Sequence, residues 1–369
     1  MSKCFRNVAI FLISFSLVCF STACVNSNEA PKAHKSEKSA NYTIGLSFDS
    51  YVIERWTRER DIFCATANDL GADVNVQSAN GEVETQIAQL QYFINLKVDC
   101  IVVVAIDADA LTETIIDAKD AGIPVICYDR IIRNANADLY ISFNNEGVGE
   151  RMAEAICGEI GDNSNIVEIM GPESDYNVPQ VMSGFDSVCE KHGQNVLLKY
   201  NCDSWRQELA YSFVNDNIEV ISQAEAIMCG NDALAGETVH ALAENGLAGK
   251  IKVVGQDADI EACQRIVEGT QLMTVYKPVE SLAKLAAEYA AKLARHESLE
   301  TTMSFNDGTY NIPYVAIEPI AVNKDNLDNE IIESGFHLRE EVYINVNMDP
   351  GKNKESGVSE EESSSETIA

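Results

Sequence analysis

Short apolar runs alternate with longer amphipathic segments from Tyr42 onward, which leaves few fold classes open to the chain. Nearly every gap between two runs has the length of a helix. Parallel strands need crossover connections of this kind, so the alternation predicts parallel sheets covered on both faces. So many strands exceed one compact sheet and predict two sheets of about five or six strands each. The strand-like runs are residues 43–48, 73–78, 100–105, 123–128, 139–143, 165–170, 195–200, 225–230, 251–256 and 272–277.

The clearest helix signal lies at residues 279–293. Apolar side chains recur there with the i, i+3, i+4, i+7 spacing of one buried helix face. The residues that keep this spacing are Val279, Leu282, Ala283, Ala286, Tyr289, Ala290 and Leu293. The pattern predicts an amphipathic helix over this range.

The overall charge narrows the possible partners. The chain has 27 Lys and Arg against 58 Asp and Glu, a formal net charge of −31. A surface this acidic repels phosphate backbones, which excludes nucleic acid as a partner. The five histidines are scattered, with no pair at metal-ligand spacing. We therefore expect neither a histidine-based metal site nor a catalytic triad.

The first residues have the order of an export signal. Lys3 and Arg6 precede an apolar run over residues 8–20, and small residues lead to Cys24. A membrane helix is the alternative, but the run is shorter than the ~20 residues that span a bilayer. The small residues resemble a bacterial lipobox, apart from Ser21 where Leu is usual, and the resemblance implies lipidation of Cys24 after removal of residues 1–23.

The segments at both ends differ in composition from the body. Residues 24–40 contain almost nothing apolar and predict a flexible tether. Residues 347–369 are rich in Ser and Glu and predict a disordered acidic tail.

The chain has 11 cysteines, of which Cys4, Cys19 and Cys24 belong to the signal and the lipidation site, so 11 − 3 leaves eight. Exported proteins often pair their cysteines, and a disulfide framework is one reading. The sequence favours the other reading, mostly buried free thiols, because seven of the eight cysteines lie in strand-like or helical segments and no C-x-x-C pair occurs.

Polar residues follow several of the predicted strands. Ligands of open α/β sheets bind beyond the carboxyl ends of the strands, so these residues predict a shared polar cleft rather than ordinary polar loops. The residues are Asp49, Asp129, Arg130, Asn231, Asp232, Asp257 and Lys277.

Arg55, Arg130 and Lys277 would give the cleft three cations. Asp129, Asp232 and Asp257 would give it three carboxylates. Buried charges must be paired and hydrogen-bonded, which suits a neutral guest dense in hydroxyls, since each hydroxyl both donates and accepts. The two tryptophans, Trp56 and Trp205, each lie near the start of a predicted helix. We interpret them as stacking surfaces for a sugar ring, with plain core packing as the alternative.

Several of these segments are similar to motifs of a known family. RWTRERDIF, VQSANGEVETQ, VICYDRII, YISFNNEGVGE, GNDALAG, VVGQDAD and GTQLMTVYKP resemble the D-xylose-binding proteins of ABC sugar importers, which are periplasmic binding proteins of the ribose/galactose type. The resemblance runs from Tyr42 to His337.

The resemblance implies two Rossmann-like lobes, the type I periplasmic binding protein fold, with a ligand cleft between them. We expect three hinge crossings, near Asn144, near 277–279 and near 311–314. The N-terminal lobe would comprise residues 41–143 and 278–312. The C-terminal lobe would comprise residues 144–277 and 313–346.

The resemblance also implies the ligand-binding residues, which are Arg55, Trp56, Asp129, Arg130, Asn177, Trp205, Asn231, Asp257 and Lys277; Asp232, in the same NDA motif, joins them from the strand-end pattern. The segment around 170–180 departs from the family at Tyr176 and Pro179, a difference that bears on sugar preference.

The implied function is capture of a monosaccharide, most of all D-xylose, by a lipid-anchored monomer that closes around it and delivers it to an ABC permease. No cofactor, metal or catalytic residue is predicted. A sensing partner of a membrane histidine kinase or chemoreceptor would use the same fold. A carbohydrate-acting enzyme is the remote alternative, since the sequence has no GxSxG, HExxH or P-loop motif.

Overall fold

The computed structural model of the chain describes residues 42–346, which form two β-sheets with covering helices. The strands in chain order are β1 (Tyr42–Phe48), β2 (Ala72–Ser78), β3 (Cys100–Val103), β4 (Val125–Tyr128), β5 (Leu139–Phe143), β6 (Asn165–Met170), β7 (Asn195–Asn201), β8 (Ala226–Cys229), β9 (Lys252–Gln256), β10 (Met273–Tyr276), β11 (Met303–Asn306), β12 (Asn311–Ile317) and β13 (Ile320–Asn323). The helices are α1 (Arg55–Asp69), α2 (Val83–Leu96), α3 (Thr112–Asp120), α4 (Asn145–Ile160), α5 (Asn177–Lys191), α6 (Gln207–Asp216), α7 (Ile218–Ile221), α8 (Asp232–Glu244), α9 (Ile260–Glu268), α10 (Val279–Ala294) and α11 (Arg339–Val342).

Each sheet is parallel except at one edge. The first sheet has the strand order β11-β12-β5-β4-β3-β1-β2, and the second has the order β13-β10-β9-β8-β6-β7. Only the pairs β11–β12 and β10–β13 are antiparallel. The prediction of two parallel α/β sheets is confirmed. We call the first sheet with its helices the first lobe and the other the second lobe.

The chain passes between the lobes three times. It leaves the first sheet at Asn144, after β5, and returns at residues 277–278, after β10. The third passage lies at residues 318–319, because β12 pairs with β5 as far as Ile317 opposite Phe143. The predicted crossing near 311–314 is therefore wrong: it cut through a strand of the first sheet and assigned residues 313–317 to the other lobe.

The helix predicted at 279–293 is α10, which follows the second passage and returns to the first lobe. Its apolar face is buried, and the helix packs against α1 and the strands β1 and β3. This packing fixes the start of α1, where Arg55 and Trp56 lie, against the first sheet.

Two glycines bring α4 and α5 into close contact. A Cβ atom at Gly149 would lie 1.9 Å from the Val181 carbonyl oxygen, and one at Gly184 would lie 1.9 Å from the Glu146 carbonyl oxygen. Only glycine permits such a close helix crossing. The crossing places Asn177, the first residue of α5, beside the start of α4 and therefore beside the cleft.

The eight cysteines of residues 42–346 are free thiols, as predicted, and seven of them are buried. Burial raises the pKa of Cys127 and of Cys229 to about 12, so both thiols stay protonated and act as small apolar residues.

No helix within residues 42–346 has both the length and the apolar character needed to cross a membrane. The predicted signal at 1–23, the lipidation site Cys24, the tether at 24–40 and the tail at 347–369 lie outside the described residues.

Candidate ligand-binding site

The carboxyl ends of the parallel strands in both lobes face one cavity. Asp129 and Arg130 follow β4, Asn231 follows β8, Asp257 follows β9 and Lys277 follows β10. These are the positions where an open parallel sheet presents its ligand-binding residues. The lining residues surround about 390 Å³ of empty space, which includes space open to solvent.

Nine of the ten predicted residues line this cavity. They are Arg55, Trp56, Asp129, Arg130, Asn177, Trp205, Asn231, Asp257 and Lys277. The three cations are balanced by three carboxylates, Asp129, Asp175 and Asp257, so the lining carries no formal net charge.

Arg55 is the centre of the first charge cluster, which we define as Arg55, Glu59, Asp129 and Asp257. Its Nη1 donates to Glu59 Oε1 at 2.8 Å, and its Nη2 donates to Asp129 Oδ2 at 2.5 Å. Its Nε lies 3.6 Å from Asp257 Oδ1 of the second lobe. Burial opposes the charge of Arg55, but the three carboxylates outweigh burial and raise its pKa.

The charges around Asp129 keep it ionised. Burial alone would raise its pKa, but Arg55 and Lys277 outweigh burial and lower it. Lys277 Nζ lies 2.7 Å from Asp257 Oδ1, so the two lobes share one continuous set of ion pairs.

Arg130 is the centre of the second charge cluster, which we define as Arg130, Asp49, Asp175 and Trp205. Arg130 Nη1 donates to Asp49 Oδ2 at 2.8 Å, and its Nε lies 2.7 Å from Asp175 Oδ2. Trp205 Nε1 donates to the same Asp175 oxygen at 3.1 Å. Burial raises the pKa of Asp49, and Arg130 offsets part of that increase.

Amide side chains add a further bridge between the lobes. Asn177 Nδ2 donates to Asp129 Oδ1 at 3.0 Å, and Asn145 Nδ2 donates to Asn177 Oδ1 at 3.0 Å. On the cleft rim, the Ala108 amide donates to the Ser174 carbonyl oxygen at 3.0 Å. The described conformation is therefore one in which the lobes are closed on each other.

Three of the lining residues have left-handed backbone conformations. The φ angle is 64° at Asp129, 103° at Asp257 and 57° at Trp205. For residues other than glycine, each such conformation costs on the order of 1–3 kcal/mol and is typical of functional sites. At Asp129 the neighbouring strand holds it, since Tyr140 Oη and Ser142 Oγ both donate to the Asp129 carbonyl oxygen.

The two tryptophans are buried and line the cavity, Trp56 from the first lobe and Trp205 from the second. The guanidinium of Arg55 lies 4.0 Å from the Trp56 ring centroid, a cation–π contact. Trp205 lies on the backbone of two glycines: a Cβ atom at Gly171 would be 2.4 Å from its ring, and one at Gly230 would be 3.1 Å from it. Side chains at either position would push the ring into the cavity.

Known proteins match this chain over most of its length. The sequence model described as periplasmic binding protein domain matches residues 44–298. The chain is 39% identical over 313 residues to the D-xylose-binding periplasmic protein of Haemophilus influenzae, which covers 84% of this chain and 94% of that protein. It is 38% identical over 304 residues to the D-xylose-binding periplasmic protein of Escherichia coli, with 81% and 92% covered.

The chain belongs to the periplasmic binding protein domain family. A solved structure, that of an ABC transporter solute binding protein from Clostridium phytofermentans with bound β-D-glucose, has the same fold. Its TM-score is 0.75 at 23% identity, and the match covers 81% of this chain and 99% of that one. The predicted type I periplasmic binding protein fold is confirmed. As an exported periplasmic binding protein, the chain is a solute-binding protein and not an enzyme.

One predicted residue of this periplasmic binding protein does not line the cavity. Asp232 accepts hydrogen bonds from Thr274 Oγ1 at 2.7 Å and from Gln271 Nε2 at 2.8 Å, inside the second lobe. Its neighbour Asn231 lines the cavity and also caps α8, where its Oδ1 accepts from the Leu234 amide at 2.9 Å. Asp232, the first residue of α8, is turned the other way, and burial raises its pKa to about 7.

Sequence reasoning missed three polar residues of the cavity, which are Asn145, Asp175 and Gln256. Asp175 lies in the loop after β6, and Gln256 ends β9, so the strand-end pattern could have indicated both. Tyr176 and Pro179, where the sequence departs from the family, do not line the cavity; Tyr176 packs with the apolar cluster of the first lobe.

No group of three or more His, Cys, Asp or Glu side chains within residues 42–346 is arranged to hold a metal ion.

Proposed function

We propose that the cleft captures a monosaccharide, with D-xylose as the preferred ligand, and that the closed protein delivers it to an ABC permease. The observation that carries the proposal is the neutral set of three cations and three carboxylates between two tryptophans. Two relatives, 39% and 38% identical to the chain, are named for D-xylose binding.

A sugar matches this cavity because each hydroxyl is both a donor and an acceptor. It can accept from Arg55, Arg130 or Lys277 while it donates to Asp129 or Asp257. Such charge-assisted hydrogen bonds are stronger than those between neutral groups. The apolar face of the sugar ring would lie against the tryptophan rings.

Two uncharged lining residues also keep a buried polar atom without a hydrogen-bond partner among residues 42–346: Trp56 through Nε1 and Gln256 through Oε1. Buried polar atoms in folded proteins are almost always paired. The pair supplies one donor and one acceptor, which is the combination that a hydroxyl satisfies.

Ligand capture requires that the lobes open and close. The closed form contains bridges from Arg130 to Asp175 and from Asn177 to Asp129, which join the two lobes and should break when the lobes open. A sugar that contacts both lobes favours that form, since it gains contacts there that the open form lacks. We expect the radius of gyration from small-angle scattering to fall when saturating D-xylose is added. An unchanged radius would contradict capture by closure.

The preference for D-xylose over D-glucose depends on the space for one exocyclic CH₂OH group. Met170, Val178 and Val181 give the second-lobe wall an apolar stretch that offers this group no hydrogen bond. Differences of this size are worth about 1–3 kcal/mol in a pocket.

The location follows from the first residues of the chain. We propose that Cys24 becomes a lipidated N-terminus after removal of residues 1–23, and that a monomer attaches by this lipid to the outer face of the cytoplasmic membrane. Replacement by Cys24→Ala should release the protein from the membrane fraction. Mass spectrometry should find a diacylglycerol-bearing N-terminus in the wild type; an unmodified Cys24 would contradict the proposal.

Isothermal titration calorimetry with D-xylose, D-ribose, D-glucose, D-galactose and L-arabinose tests the proposed function. We expect one-to-one binding that is tightest for D-xylose and is lost in Asp257→Ala and Arg130→Ala. Asp232→Asn is the matched control, since Asp232 lies outside the cavity. Tightest binding of another sugar would move the preference within the class, and no heat with any sugar would overturn the proposal.

A further inference from the structure

Glu59 is a fully buried carboxylate that does not line the cavity but contacts a residue that does. It lies one turn after Arg55 on α1, and its Oε1 accepts from Arg55 Nη1 at 2.8 Å. Its Oε2 accepts from the hydroxyl of Tyr128, the last residue of β4. Both oxygens are therefore engaged, one by the strand beneath the cleft and one by the arginine within it.

This arrangement leaves Arg55 little freedom. Nη1 is held by Glu59 and Nη2 by Asp129, so two of its three nitrogens are fixed within the first lobe. The third, Nε, faces the second lobe, where Asp257 lies at 3.6 Å. A guanidinium held in this way presents its donors in one orientation, which lowers the entropy lost when a ligand binds.

We propose that Glu59 and Tyr128 are positioning residues that hold the Arg55 guanidinium in the orientation that meets the sugar, and that full affinity requires ionised Glu59. The inference rests on the proposed function, since it assumes that Arg55 contacts the sugar. Neither residue touches the cavity, so their effect on binding passes through Arg55.

Glu59 titrates in an accessible range. Its pKa is raised to about 7, because burial and the neighbouring Asp129 outweigh Arg55, the Tyr128 hydrogen bond and Lys277, which lower the pKa. These four are the charged and titratable groups that face Glu59, from α1, from β4 and the loop after it, and from the end of β10. Protonation removes one of the ion pairs that orient Arg55.

Linkage then fixes the sign of the pH effect. If ionised Glu59 favours the sugar complex, the sugar must lower the pKa of Glu59 and release protons near pH 7. Affinity for sugar should accordingly weaken as the pH falls from 8 to 6. Asp232 titrates in the same range but lies in the second lobe outside the cavity, so it provides a matched control.

The experiment is calorimetry with D-xylose between pH 6 and 8.5, in pairs of buffers that differ in ionisation enthalpy. For the wild type we expect Kd to rise roughly 3- to 10-fold from pH 8 to pH 6, as follows from a pKa change of up to about one unit, with proton release near pH 7. Glu59→Gln keeps an acceptor for Tyr128 but cannot ionise. It should bind with the low-pH affinity at every pH and release no protons.

Two further variants separate positioning from general stability. Tyr128→Phe removes the hydrogen bond that lowers the pKa of Glu59, so the midpoint of the affinity profile should move to higher pH. Asp232→Asn should reproduce the wild-type profile. Thermal unfolding of each variant shows that it is folded before titration.

The outcomes distinguish this inference from the proposed function. Sugar binding that is independent of pH in the wild type, or that keeps its pH dependence in Glu59→Gln, would overturn the positioning role and leave sugar binding intact. No heat with D-xylose at any pH would overturn the proposed function and this inference with it.

Discussion

Arg55 and Arg130 both reach the cavity from the first lobe. Residues of that lobe hold Arg55, whereas residues of both lobes hold Arg130. Arg55 has both of its short contacts, to Glu59 and Asp129, within its own lobe, and its partner across the cleft is 3.6 Å away. A side chain held in this way keeps its position whether the lobes are open or closed.

Arg130 has one contact in its own lobe, to Asp49 at 2.8 Å, and one across the cleft, to Asp175 at 2.7 Å. The second contact forms only when the lobes close. We infer that the two arginines have different roles. Arg55 is a donor oriented by its own lobe, and Arg130 forms a contact across the cleft that closure completes.

The largest difference between the two arginines should appear in the free energy of unfolding when each is removed. Arg55→Met leaves three carboxylates without their shared cation inside closed packing, and we expect the free energy of unfolding to fall by about 3–5 kcal/mol. Arg130→Met should cost less, because opening of the lobes lets water reach Asp175. Urea unfolding without sugar measures both losses. Equal losses in the two variants would contradict different roles for the two arginines.

Glu59, a carboxylate of the first charge cluster, should make the free energy of unfolding depend on pH. The pKa of Glu59 is about 7 in the folded protein against an ordinary 4.5, so the folded state binds more protons between these values. The free energy of unfolding should therefore fall as the pH rises through this window, by about 3 kcal/mol from this group. Glu59→Gln should remove that share of the slope. An unchanged slope in this variant would show that the pKa of Glu59 is not raised in the folded protein.

The contact between Arg130 and Asp175 can be weakened while the arginine keeps its charge. Asp175→Asn should reduce the affinity for D-xylose about 10-fold, because a charge-assisted hydrogen bond across the cleft is lost. It should also increase the radius of gyration of the sugar-free protein in small-angle scattering. Glu59→Gln, within one lobe, should leave that radius unchanged; an equal increase would remove the distinction between the clusters.

The smallest effect is expected at Asp232, which the strand-end pattern predicted as a ligand-binding residue but which does not line the cavity. Asp232→Asn should change the affinity for D-xylose by less than about 2-fold, since its carboxylate faces Thr274 and Gln271. Calorimetry at pH 8 measures this. A loss comparable to that of Asp175→Asn would return Asp232 to the site.

The sequence predicted the first ten strands but not the last three. All ten apolar runs overlap the strands β1 to β10, including the edge strands β2 and β7, whose residues are mostly half-buried or exposed. Strands β11 and β13 were missed because each has only four residues, and β12 was missed because Pro313, a residue that argues against a strand, lies within its apolar run. The wrong third crossing has the same cause: without β12 there was no reason to extend the first lobe to Ile317.

The strand-end pattern located the cleft but could not tell which of two adjacent residues faces it. It predicted both Asn231 and Asp232, although the helix start turns only the first toward the cavity. The i, i+4 spacing of Arg55 and Glu59 could have indicated their ion pair, whereas the contact between Glu59 and Tyr128 becomes visible only when α1 and β4 are packed together.

A crystal structure of the protein grown with D-xylose tests the proposal that the cleft between the lobes captures this sugar. We expect one sugar ring between Trp56 and Trp205, with hydroxyls hydrogen-bonded to Arg55 and Arg130 and to at least one of Asp129 and Asp257. Arg55 should keep its contact with Glu59. A sugar bound outside this cleft, or a cleft that stays without sugar at saturating D-xylose, would contradict it.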